Sequence, residues 1–108
     1  MFVKKKYRSK NVDKMSIEKL FKVIEKRASS RNKKSYTKTL LMLGSKKIAQ
    51  KFGEESAELI VDYLKGTKKR TLEEAADVIY HFLVLLKSKK ITLKELNKEL
   101  SKRDKDVR

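Results

Sequence analysis

The sequence predicts an all-α protein, a single bundle of four to five helices, and three observations carry that expectation. Proline is absent and glycine occurs only three times in 108 residues, so little interrupts long helices except those glycines. Apolar residues recur at spacings of three and four, and no stretch alternates strictly as a half-buried strand would. Serine and threonine stand where helices would begin, and Thr71 and Thr92 are each followed three residues later by glutamate. There is no internal repeat and no low-complexity tract.

Residues 1–15 read as a solvated basic arm. Beyond Ile17, the positions Leu20, Phe21, Ile24 and Ala28 fall on one helical face, which predicts a first helix over 17–28. Residues 31–34 form a polar connection. Ser35 is placed to cap a short helix through Leu40, Leu41 and Leu43, ended by Gly44 in the left-handed conformation that other residues resist. Ser45 then starts a long helix that stops at Gly66 after Lys65. Thr71, with Glu74 as a capping box, opens another long helix to about Ser88, and Thr92 with Glu95 opens a last short one to about Ser101. The folded domain is therefore expected over 16–102, between the basic arm and a charged tail over 103–108.

The helix after Thr71 has almost no polar side in its second half, where Val78, Ile79, Tyr80, Phe82, Leu83, Val84, Leu85 and Leu86 crowd together. A helix apolar all round must be covered all round. A chain of this length buries only roughly 60–70% of its unfolded surface, so part of that helix is expected to form the interface of a homodimer or higher homo-oligomer.

Composition narrows the chemistry. With no cysteine, disulfides and thiolate metal sites are excluded, leaving carboxylates, one histidine and water as metal ligands. The longest apolar run, Phe82 through Leu86, falls far short of the roughly 20 residues that span a bilayer. The basic start is followed by polar residues instead of an apolar core, so no secretory signal is read there. A cytoplasmic protein without a membrane partner is the expectation. The net charge of +16 would ordinarily suggest a polyanion partner. Lysine outnumbers arginine 24 to 6, however, and is spread along the whole chain, whereas nucleic-acid sites favour clustered arginine. A basic helical nucleic-acid-binding protein is kept as an alternative, with nucleic acid not the favoured partner.

Seven of the fourteen acids lie between Glu54 and Asp77, against four bases, so this window is acidic inside a strongly basic chain. On a helix Glu55, Glu58 and Asp62 stack along one face, and Glu74, Asp77 and His81 repeat the spacing on the next. Antiparallel packing would let the stripes face each other. Two like charges roughly 6 Å apart repel by about 3 kcal/mol at an effective dielectric of 20, and a domain stable by only about 5–15 kcal/mol tolerates few such pairs. A divalent cation resolves the conflict, and hard oxygen ligands suit Mg²⁺, with Mn²⁺ as the alternative. The competing reading is an exposed acidic face paired with lysines. Against it, the neighbours of these acids are small or apolar: Gly53, Ser56, Ala57, Leu59 and Ile60 in one stripe, Ala75, Ala76, Val78 and Ile79 in the other.

The segment Lys51-Phe52-Gly53-Glu54-Glu55-Ser56-Ala57-Glu58, followed by Glu74-Ala75-Ala76-Asp77-Val78-Ile79-Tyr80-His81, resembles the paired motifs of phosphoribosyl-ATP pyrophosphohydrolases, within the all-α, MazG-type nucleoside triphosphate pyrophosphohydrolases. Ser35-Tyr36-Thr37 and Tyr80-His81 with the apolar run behind them are similar to the histidine-biosynthesis branch in particular. Coverage runs from about Ile17 to Leu100. The resemblance implies Mg²⁺-dependent hydrolysis of phosphoribosyl-ATP to phosphoribosyl-AMP and pyrophosphate, the second step of histidine biosynthesis. It implies that Glu55, Glu58, Glu74 and Asp77 are metal ligands, with Glu54 beside them as a ligand or a base that orients water. Lys51 is a candidate phosphate contact or a plain surface lysine. Lys34 and Lys38 are further candidate phosphate contacts, and His81 a substrate contact or a hydrogen-bonded orienter. Two departures stand out: the approach to Ser35 lacks the Gly or Pro that relatives often carry, and the charge is unusually basic. Lacking cysteine, the chain reads as the form not fused to a cysteine-zinc cyclohydrolase. A house-cleaning (d)NTP pyrophosphohydrolase with the same carboxylates is the alternative within this enzyme class.

Overall fold

Helix ends settle the architecture first. A computed structural model describes residues 15–31 and 34–104. The expected basic arm lies outside the described residues except for Met15, as do residues 105–108 of the expected tail. Five helices are described: α1 (Ile17–Ser29), α2 (Tyr36–Leu43), α3 (Ser45–Lys65), α4 (Lys68–Ser88) and α5 (Leu93–Lys102). Among the described residues there is no strand.

The caps follow the side chains. The Ser16 hydroxyl accepts from Lys19 N at 3.2 Å, and Lys26 and Arg27 in the last turn of α1 complement its negative end. Ser35 caps α2 by accepting from Lys38 N at 3.2 Å. Gly44 ends that helix at φ +96°, a backbone conformation strained for any residue with a Cβ. Thr92 and Glu95 form both halves of a capping box at the start of α5.

One boundary differs from expectation. Helix α4 begins at Lys68, with Thr67 as its cap accepting from Arg70 N at 3.0 Å. Thr71 lies inside the first turn, where its hydroxyl donates to Thr67 O and also to Asp62 O across the helix pair. Glu74 is therefore not a capping residue but a buried one. Three consecutive bases are unfavourable at a helix start, which is why the sequence points past them. Here Arg70 is compensated by Asp62, Glu73 and Glu74.

Helices α3 and α4 pack antiparallel across a two-residue connection, and their contacts give the register. Asp62 meets Thr71, Phe52 meets Phe82 with ring centroids 6.4 Å apart, and Ile48 lines the same hollow as Leu85. Helix α4 supplies half of the buried core, Tyr80, Leu83, Val84 and Leu86, against Phe21 and Ile24 of α1, Leu40 of α2 and Ile48 of α3. Burying each such side chain contributes roughly 1.5–3 kcal/mol. The chain thus covers much of the apolar half of α4 itself, with Ile79, Phe82 and Leu85 partly buried beside it. Large apolar side chains are exposed elsewhere: Met42 and Leu43 on α2, Ile60, Val61, Tyr63 and Leu64 on α3, and Leu72 on α4.

Candidate metal centre

The α3/α4 pairing brings the two acidic stripes together midway along the helices. One carboxylate oxygen each from Glu55, Glu58 and Glu74 lies within 4.8 Å of the others. Glu55 is 4% exposed, Glu74 is 0% exposed, and Asp77 beside them is equally buried. Glu58 is exposed and forms the open side of the cluster. Asp77 stands outside that trio, though its charge acts on both Glu55 and Glu74.

Each buried glutamate has one oxygen on a cation and the other bare. Glu55 Oε2 lies 3.9 Å from Lys51 Nζ, and Glu74 Oε2 is 3.0 Å from Arg70 Nη2. Glu55 Oε1 and Glu74 Oε1 are buried without a hydrogen-bond partner. Leaving a buried acceptor unsatisfied costs about 1–3 kcal/mol, more if it is charged. Burial, then repulsion from Glu58 and Asp77, pushes the Glu55 carboxyl up from its ordinary 4.5 to about 7. Burial, then Asp77 and Glu58, also raises Glu74, with Arg70 opposing. Two buried carboxyls that ionise reluctantly on their own, Glu55 and Glu74, set close to the exposed Glu58, fit a hard divalent cation.

Around the trio the charges are graded. Burial works against the Lys51 ammonium, but Tyr36, Glu54 and Glu55 outweigh it and its pKa is raised. Glu54 is more exposed; it accepts from Gln50 Nε2 at 2.9 Å and lies 3.5 Å from Lys51, contacts that hold its carboxyl below the usual value.

His81, 2% exposed, uses both ring nitrogens. Nδ1 lies 2.8 Å from Asp77 O, and because a carbonyl only accepts, Nδ1 carries the proton. Nε2 then accepts from the Tyr36 hydroxyl at 3.3 Å. Burial lowers the imidazole pKa, in keeping with this neutral form. Thr37 and Tyr80 hydrogen bond beneath the same contact, so α2 is locked to α4 beside the carboxylates.

The sequence-predicted residues divide accordingly. Lys51, Glu54, Glu55, Glu58, Glu74 and Asp77 converge on one place, and His81 joins it through Tyr36. Lys38 Nζ donates to Ser30 O at the α1–α2 connection, where Lys34 lines a hollow with Lys26 and Arg27. Sequence reasoning missed Arg70. Its signal is the spacing of three and four residues to Glu73 and Glu74, hidden because Thr71 with Glu74 reads as the start of the helix.

An all-helical bundle whose paired long helices juxtapose a Glu-x-x-Glu and a Glu-x-x-Asp stripe defines the class of the all-α nucleoside triphosphate pyrophosphohydrolases. Comparison with known proteins narrows the class. A sequence model of the phosphoribosyl-ATP pyrophosphohydrolases matches residues 17–104, and the chain belongs to that family. It is 41% identical over 88 residues to the phosphoribosyl-ATP pyrophosphatase of Cereibacter sphaeroides, covering 82% of this chain and 85% of that one. The phosphoribosyl-ATP pyrophosphatase of Paracoccus denitrificans is 38% identical over 88 residues, covering 82% of each chain. The histidine biosynthesis bifunctional protein HisIE of Staphylococcus aureus is 40% identical over 88 residues, which cover 82% of this chain but 42% of that protein. The match thus spans about two-fifths of such bifunctional relatives.

Proposed function

We propose that this chain hydrolyses phosphoribosyl-ATP to phosphoribosyl-AMP and pyrophosphate in histidine biosynthesis, with Mg²⁺ held by Glu55, Glu58, Glu74 and Asp77 and Mn²⁺ able to replace it. The observation that carries the reading is the trio of glutamate oxygens within 4.8 Å, two of its members having a buried oxygen with no partner. Family membership and relatives named phosphoribosyl-ATP pyrophosphatase support the substrate. Bound there, Mg²⁺ would neutralise the triphosphate and make a coordinated water more acidic.

The chain's own groups supply the rest. Glu54 stays ionised at the open edge, where it orients the water that attacks between the α and β phosphates. One P–O bond forms, the bridging P–O bond breaks, and pyrophosphate leaves. Lys51, held between Glu54 and Glu55, turns its charge to the triphosphate. Lys34 and Lys38, at the α1–α2 connection, stand apart from the carboxylates and are given no part in this step. His81 acts through Asp77 and Tyr36, fixing the wall against which the nucleotide lies.

In this reading the enzyme works in the cytoplasm as a homodimer. Among the described residues no helix is long and apolar enough to cross a membrane, and the exposed apolar end of the α3/α4 pair supports self-association. The test is pyrophosphate release from phosphoribosyl-ATP generated in situ, with Mg²⁺ or EDTA, beside a panel of deoxynucleoside triphosphates. Turnover confined to phosphoribosyl-ATP and abolished by EDTA is expected. Turnover of the deoxynucleotides instead moves the protein to a house-cleaning role, and equal rates in EDTA overturn the metal assignment.

A further inference from the structure

Arg70 is the cation at which both acidic stripes meet. Its Nη2 lies 3.0 Å from Glu74 Oε2 and 3.5 Å from Asp62 Oδ2, and its Nη1 lies 3.2 Å from Glu73 Oε1. The guanidinium therefore ties α3 to α4 while gripping one oxygen of a fully buried glutamate. The other oxygen, Glu74 Oε1, is buried without a partner and belongs to the residue that faces Glu55 and Glu58. A guanidinium offers several donors in one plane and so holds Glu74, Asp62 and Glu73 at once, which the single point of an ammonium does not.

We propose that Arg70 is a positioning residue for the metal centre, holding Glu74 from behind and anchoring it to Asp62 so that Glu74 Oε1 stays aimed at the gap between Glu55 and Glu58. This rests on the metal reading above. Arg70 acts on the ion through Glu74, as outer hydrogen-bond partners orient metal ligands elsewhere. The sign of the effect separates this role from plain electrostatics. Removing a positive charge from the border of a cation site tightens cation binding if Coulomb attraction alone operates. Removing a positioning group loosens it.

The experiment titrates Mn²⁺ into wild type, Arg70→Gln and Arg70→Lys in the absence of nucleotide, reading bound metal directly, with circular dichroism as the fold control. Arg70→Gln is expected to weaken Mn²⁺ binding by about 10-fold or more. Arg70→Lys should recover little of it, because an ammonium keeps the charge but cannot reach Glu73, Glu74 and Asp62 together. At saturating Mg²⁺ the turnover of Arg70→Gln should recover toward wild type, since the defect lies in metal affinity. Should Arg70→Gln not fold, Arg70→Lys carries the test, because it keeps the charge: Coulomb attraction alone leaves Mn²⁺ binding unchanged, and loss of positioning weakens it. Unchanged or tighter Mn²⁺ binding in the variants overturns the proposal, as does a raised KM that persists at saturating Mg²⁺. A wild type that binds no Mn²⁺ overturns the metal reading itself, and this inference with it.

Discussion

Glu55 and Glu74 are posed alike across the α3/α4 pair: each rests one oxygen on a cation, Lys51 or Arg70, and buries the other with no hydrogen bond. Such an arrangement is a poor way to stabilise a fold, since like charges are brought together in a dry place. Glu55→Gln should therefore raise the melting temperature of the metal-free protein. Relief of about 1 kcal/mol corresponds to roughly 4–8 °C for a domain of this size. The same substitution should weaken Mg²⁺ binding and reduce pyrophosphate release at least 100-fold. Calorimetry in EDTA and a turnover assay check the two halves, and a variant that melts lower while keeping its turnover contradicts both.

The same strain sets a pH dependence. Glu55 has its carboxyl raised from 4.5 to about 7 in the folded chain, so between those values the folded state binds more protons than the unfolded state. Stability of the metal-free protein consequently falls as pH rises through that window, by on the order of 3 kcal/mol for a shift of this size. Added Mg²⁺ should reverse the trend, because it requires the ionised form. Melting curves at pH 5 and pH 7.5, with EDTA and with Mg²⁺, should show the metal stabilising far more at the higher pH. Equal stabilisation at both would mean that the ion is not seated on these carboxylates.

Much of this arrangement could be read before any coordinates, for specific reasons. Glycine at 44 and 66, serine at 35 and threonine at 92 are local signals, and the helices obey them because capping is a local matter. The acidic stripes were visible because i, i+3 spacing on one helix needs no tertiary information. What depended on packing was not visible. Part of the apolar half of α4 reads as a subunit interface, and α1, α2 and α3 cover much of that half themselves, because only three-dimensional packing tells internal cover from external. Arg70 escaped notice because a run of bases hid the true start of α4, and the Tyr36–His81 contact joins residues 45 positions apart.

That contact carries a prediction of its own. Tyr36→Phe removes the proton donated to His81 Nε2 but preserves the ring packing against Tyr80, where the centroids lie 6.2 Å apart. Loss of one such bond should cost about 0.5–1.5 kcal/mol of stability. If Tyr36 forms the nucleotide wall, kcat/KM falls by about 3- to 10-fold while Mn²⁺ affinity stays at the wild-type value. A drop in metal affinity instead would mean that His81 supports the carboxylates, through Asp77, more than it supports Tyr36.

The exposed apolar surface asks for a partner, and its placement says which helix face meets it. Ile60, Val61 and Leu64 share one side of α3 at exposures of 58%, 58% and 70%, and Leu72 at 69% opens the neighbouring helix. Gly53 and Ala57 continue that side toward the helix start, and a Cβ built on Gly53 meets nothing within 4 Å. A glycine inside a helix costs about 1 kcal/mol relative to alanine, a cost that internal packing does not explain here but close approach of a second helix does. Light scattering at micromolar concentration should accordingly give twice the chain mass of 12.7 kDa. Leu64→Arg places a cation on this face of a chain already at +16 and should shift the protein to the monomer without changing its helical circular dichroism. A wild type that runs as a monomer would leave this surface exposed and remove the reason for a helical glycine at position 53.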